Sequence, residues 1–193
     1  MADASQLRFD LLGAFDSADI AAVLMRLPDE DERALINRVK AVAPLVQKAE
    51  AALILDGHSQ IVARSGADGA HLSGLAAFQD AAAALKPDRI AGVGGLETRH
   101  DAMVAAETGA DYVMFGDNER PSLEALIERV TWWADVFEVP CVAYATTLDE
   151  IAPLVDAGAD FVAVGDAVFS DPRGVAAAIA EASERMSVAE VAT

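Results

Sequence analysis

Short apolar runs, each followed by an Ala-rich stretch of helical period, recur along the whole sequence, and no other property narrows its fold so far. The runs are IAAVLMRL, AALILDG, DGAHL, RIAGVGG, DYVMFGD, VPCVAYA and DFVAVGD. Between them lie segments such as DERALINRVKAVAPLVQKAE and PSLEALIERVTWWADVF, with apolar residues three and four apart. Such alternation yields a parallel sheet, because each crossover helix returns the chain to the same end and covers a face of the sheet on the way. The runs are continuously apolar rather than alternating, which predicts strands buried on both faces.

The tripeptide Gly-Ala-Asp begins at Gly66, Gly109 and Gly158, each time between a helical stretch and a strand, in SGADGAHL, TGADYVMFG and AGADFVAVG. Steps of 43 and 49 residues hold two strand and helix units each. Glycine can take the left-handed conformation that closes a helix, so the repeat reads as structural punctuation. Used as a register, it gives seven strands and eight helices, where a (β/α)8 TIM barrel has eight of each. Residues from about Ser5 to Ala18 read as helical and leave no room for a strand and helix ahead of IAAVLMRL. The expected fold is therefore an α/β TIM barrel with its first strand missing or distorted, built by one domain over residues 1–193. A flavodoxin-like open sheet is the runner-up and needs fewer parallel strands.

With 14 basic and 32 acidic residues the chain carries −18 at pH 7, a field that repels phosphate backbones and anionic membrane surfaces. Neither nucleic acid nor a membrane is expected as a partner. No uncharged apolar run approaches the ~18 residues of a membrane span, and the opening MADASQLRFDLL has no basic segment ahead of an apolar one. A cytoplasmic protein with a small-molecule ligand is expected, and self-association into a homo-oligomer is compatible with it. Cys141, alone in VPCVAYA, has no second thiol for a disulfide or a metal site and reads as strand filler. Of the neighbours Trp132 and Trp133, one is expected to pack on the sheet and the other to face an adjoining element.

In a barrel of this kind ligands meet the carboxyl ends of the strands. The residues at and just after those ends are Arg26, Asp56, His71, Gly94, Gly95, Asp117, Asn118, Tyr144, Ala145, Thr146 and Asp166. Asp56, Asp117 and Asp166 could converge into an oxygen-rich cluster for a divalent cation or an amine-bearing ligand, or stand as solvated loop residues and helix caps. Arg26 is a candidate partner for one of them. Arg120 and Arg173 are the remaining candidates for meeting a phosphate, and their acidic neighbours favour surface pairing instead.

The ordered set AALILDGHSQIVARSGADGAHLSG, RIAGVGG, AAETGADYVMFG and VPCVAYATTLDEIAPLVDAGADFVAVGDAV resembles thiamine phosphate synthase and its relative, the thiazole tautomerase TenI, over roughly Ile20 to Ala180. The resemblance implies a (β/α)8 barrel and a reaction in which hydroxymethylpyrimidine pyrophosphate is joined to a thiazole phosphate with loss of pyrophosphate. It also implies a magnesium ion, since charge builds on the leaving group, and no organic cofactor. Against the family's Gln-Leu-Arg-x-Lys stretch the chain reads Leu24-Met25-Arg26-Leu27-Pro28, keeping the arginine for pyrophosphate. Against Asn-Asp it reads Leu55-Asp56, keeping one magnesium carboxylate. His71 falls in the family-like HLxG turn.

Other positions depart from that pattern. A Thr-x-Thr-Lys run is replaced by Asp117-Asn118-Glu119-Arg120-Pro121-Ser122. A Gly-Gly pair whose amides approach the thiazole phosphate becomes Ala145-Thr146, and a serine becomes Asp166. The TenI histidine has no counterpart close after GVGG, and His100 reads as an exposed helix residue. A carboxylate beside a phosphate is repelled by several kcal/mol at an effective dielectric near ~20. The expectation is accordingly a diverged synthase of weakened or lost activity. The alternative is a non-catalytic small-molecule-binding or regulatory barrel.

Overall fold

Three helices begin where a side-chain oxygen meets an unpaired backbone N–H. Asp31 accepts from the N–H of Ala34 at 3.0 Å and opens α2, Glu32–Lys48. Ser122 does the same for α6, Leu123–Val136, and Thr98 with Asp101 forms a reciprocal capping box ahead of α5, Arg99–Glu107. The computed structural model describes residues 4–117 and 121–192. The remaining elements are α1 (Ala4–Ser17), β1 (Ala22–Met25), β2 (Ala52–Asp56), α3 (Val62–Ser65), β3 (Gly69–Ser73), α4 (Leu75–Leu85), β4 (Ile90–Gly94), β5 (Tyr112–Phe115), β6 (Cys141–Ala145), α7 (Ile151–Asp156), β7 (Phe161–Val164), α8 (Asp166–Phe169) and α9 (Val175–Ala192).

Strand pairing is parallel at β1–β2, β2–β3, β3–β4, β4–β5 and β6–β7, and the strands follow one another in a seven-stranded sheet in chain order from β1 to β7. Sequential order excludes the flavodoxin-like arrangement, whose strands double back at a switch point. The fold is that of the α/β TIM-barrel class with seven strands. Among the described residues the chain enters through α1, as the N-terminal reading expected, and the first strand is β1.

Two compact units divide the contacts, Ile20–Val113 and Met1–Asp19 with Met114–Thr193. In the first, α2 buries Leu35, Val39, Ala43 and Val46, one helical face, while β2 buries Leu53, Ile54 and Leu55 in succession. In the second, α6 buries Leu126, Val130 and Trp133. The indole N–H of Trp133 donates to the carbonyl of Val139 at 2.7 Å, and the ring stacks on Phe137 at 4.1 Å. Trp132 is only half-buried, so the pair divides as expected. Cys141 is fully buried in β6. Burial on both faces does not extend to β1 and β7, where Phe161 is 44% exposed. They end the sheet order, each with one paired neighbour.

The glycines of the repeat close helices in the left-handed region, with φ of 80° at Gly66, 97° at Gly109 and 96° at Gly158. Its aspartates do something the sequence did not disclose. The N–H of Asp68 donates to the carbonyl of Leu53 at 2.9 Å while its carboxylate accepts from the N–H of the same residue at 2.8 Å. Asp111 makes the identical pair with Ala91, at 3.0 and 2.7 Å, and Asp160 with Cys141, at 3.1 and 2.8 Å. Each repeat thus clasps the amino end of one strand to the amino end of the strand before it.

Candidate functional site

At the opposite, carboxyl ends of the strands, the unit Ile20–Val113 holds an ion pair. The register Met25↔Leu55 sets Arg26 and Asp56 side by side one step further on. Arg26 Nε donates to Asp56 Oδ2 at 3.0 Å, with the arginine side chain 65% and the aspartate side chain 33% exposed. The loop beyond is held tightly: the N–H of Gly57 donates to the carbonyl of His71 at 2.7 Å, and both Gly57 and His58 have positive φ. His71 lies beside Asp56 in register and is 2% exposed, with Nδ1 3.0 Å from the hydroxyl of Tyr112. Gly94 ends β4 buried, its carbonyl accepting from the N–H of Gly74 at 2.8 Å, and Gly95 turns the chain with φ 60°. His100 is exposed, as expected, and is the second residue of α5.

The other unit carries a cleft of about 320 Å³ lined in part by Thr146, Thr147, Leu148, Asp166, Asp171 and Pro172. Tyr144 reaches toward it from β6, its hydroxyl passing close to Gly165, where a Cβ would lie 2.3 Å away. Thr146 is exposed at this cleft and already has a partner: Glu150 accepts from its N–H at 2.6 Å and from its hydroxyl at 2.9 and 3.0 Å. Sequence reasoning missed Glu150. The only signal was its place four residues after Thr146 and just ahead of an apolar run, close to the spacing at which a carboxylate reaches back over a helix start.

Asp171 lies at the same cleft and is held down to about 2 by Arg173, whose guanidinium and backbone N–H both donate to it. Arg173 also meets Glu181 at 2.7 Å, and Arg185 bridges Glu181 and Asp149. Glu181 is lowered by Arg185 first and Arg173 second. Arg173 therefore pairs on the surface as the sequence suggested. Asp117 is half-buried at the end of β5, and Asn118 and Arg120 lie outside the described residues. Among the described residues no three His, Cys, Asp or Glu side chains are grouped as a metal site. No helix among them is long and apolar enough to cross a membrane.

A family model described as thiamine monophosphate synthase matches residues 4–168. The chain belongs to that family. A thiamine-phosphate synthase of Rhodospirillum centenum is 42% identical over 178 residues, 89% of this chain and 86% of the relative. Another, of Hyphomonas neptunium, is 34% identical over 188 residues, covering 92% and 85%. Among solved structures, a thiamine phosphate pyrophosphorylase from Pyrococcus furiosus superposes with a TM-score of 0.80 at 21% identity, covering 94% of this chain and 90% of that one, and supports the fold. The family carries the thiamine-biosynthetic reading. Nothing in these likenesses marks an inactive form, so the expectation of lost activity gains no support from them.

Proposed function

We propose that the chain catalyses the reaction its family is named for, joining hydroxymethylpyrimidine pyrophosphate to a thiazole phosphate with release of pyrophosphate. The observation that carries this reading is the Arg26–Asp56 pair. These are the two residues retained from the family's phosphate and metal motifs, and they stand together at adjoining strand ends, where this fold class keeps its chemistry.

Magnesium takes one or two carboxylates, keeps several waters and draws further oxygens from substrate phosphates. A single half-exposed carboxylate, Asp56, fits that requirement for an ion that arrives on the diphosphate. When bound there, the ion would neutralise charge on the departing pyrophosphate. Asp56 would hold it, and the Arg26 guanidinium, no longer engaged by that carboxylate, would donate to pyrophosphate oxygens as the bond to the pyrimidine methylene breaks. His71, Gly94, Gly95, Asp117, Asn118, Arg120, Tyr144, Thr146 and Asp166 keep the substrate-contact roles that the resemblance and the strand-end geometry suggest.

The test is direct. Protein supplied with both phosphorylated substrates and magnesium should release pyrophosphate and form thiamine phosphate in equal amounts. No product at high enzyme concentration would sink the reading.

A further inference from the structure

One row of residues crosses the sheet within the unit Ile20–Val113. The registers Asp56↔His71, His71↔Gly92 and Gly92↔Tyr112 set these four residues side by side on β2, β3, β4 and β5. Residues paired in this way send their side chains to the same face of the sheet. Gly92 sends none, and the Tyr112 ring fills the space it leaves: a Cβ on Gly92 would lie 2.0 Å from Tyr112 Cζ. The tyrosine thereby spans β4, and its hydroxyl meets Nδ1 of His71 at 3.0 Å, with the two rings 11° from parallel. Glycine inside a strand weakens it and marks close approach by another group. Here the group that approaches is the one that meets the buried imidazole.

A neutral imidazole carries one N–H, and the partner at one ring nitrogen decides which nitrogen holds it. Beside His71 in the row stands Asp56, whose carboxylate oxygens accept hydrogen bonds. That neighbour favours an N–H over a lone pair on the far side of the ring.

We propose that Tyr112 is a positioning residue: its hydroxyl donates to Nδ1 of His71, fixes the ring proton on Nε2, and so holds the imidazole as a hydrogen-bond donor in the layer that Asp56 shares. The catalytic part of this inference rests on the synthase reading; the tautomer itself does not. In that reading His71, buried beside Asp56, orders the strand end at which Arg26 and Asp56 serve the pyrophosphate.

The test uses the unliganded full chain with 15N-labelled histidine. The protein has three histidines, so His58→Gln and His100→Gln assign the signals of His71. His71 is expected as the Nε2–H tautomer in the wild type and as a mixture in Tyr112→Phe, which keeps the ring and removes the hydroxyl. Gly92→Ala, which displaces the ring but keeps the hydroxyl, should give the same mixture. In turnover, Tyr112→Phe should raise KM for the pyrophosphate substrate about tenfold while kcat changes less than about threefold, as loss of uniform binding requires.

An unchanged tautomer in Tyr112→Phe, or an Nδ1–H tautomer in the wild type, would overturn the proposal. So would a changed tautomer with wild-type kinetics. A wild type without turnover would sink the synthase reading alone, because the tautomer comparison is made without substrate and still decides whether Tyr112 positions His71.

Discussion

Arg26 and Asp56 meet through a single Nε to Oδ2 contact, with most of the arginine in solvent. Exposed pairs of this kind contribute about 0–1 kcal/mol, so Arg26→Ala should leave the melting temperature within ~3 °C of wild type. In the synthase reading the same change should lower kcat/KM about a hundredfold or more, through the lost charge-assisted bond to pyrophosphate. A melt and a pyrophosphate-release assay on one preparation separate the two effects. Cys141 gives a second prediction. Burial pushes its thiol up to about 11 from an ordinary value of 9.0, so the fold favours the protonated form. The stability this contributes is intact below pH 9 and is lost as pH rises from 9 through about 11, an effect on the order of 2–3 kcal/mol. Denaturant midpoints between pH 8 and 11 should fall more steeply in wild type than in Cys141→Ala. At this scale the sequence was readable where a residue belongs to a local motif, as Arg26 and Asp56 do. It was silent on Tyr112, which lies 41 residues from His71 and reaches it only because the strand between them has glycine at the crossing.

Elements are joined here by contacts whose partners are far apart in the chain. The glycine half of Gly-Ala-Asp could be understood locally, since a left-handed helix end needs no distant partner. The aspartate half could not, because its partner is the backbone of the preceding strand 15 to 20 residues away. Asp160→Ala should cost about 1–3 kcal/mol, the range for leaving a backbone donor without its charged acceptor. Asp160→Asn, which keeps an acceptor, should recover part of that loss, and urea unfolding reads both. The last helix depends on charge. Arg173 and Arg185 tie α9 to Asp171 and Asp149. Asp171 titrates near 2 in the fold and at 3.8 ordinarily, so its contribution is present above pH 3.8 and disappears as pH falls through about 2. Amide exchange in α9 should speed up across that interval, and Arg173→Met should remove the dependence on pH.

The whole chain is strongly acidic, at −18, yet its proposed substrates are anions. Repulsion slows such encounters, and salt relieves it. Raising ionic strength from 0.01 to 0.1 M shortens the screening length from about 30 to about 10 Å, so kcat/KM should rise rather than fall over that range. A falling value would mean that the local field around the strand ends opposes the net charge. The α/β class, the seven strands and the helical entry were all legible because they rest on periodicity and on a repeat that keeps register. What the loops hold was less legible, since the bond between Thr146 and Glu150, although only four residues apart, depends on the turn adopted between them. The aspartate clasps fasten strand pairs β2–β3, β4–β5 and β6–β7 at the end away from Arg26, Asp56 and Asp166. Anchorage and the proposed chemistry thereby occupy opposite ends of the strands. A change in the loops that follow the strands therefore leaves these fastenings untouched, and the scaffold can hold its shape while its rim is rewritten.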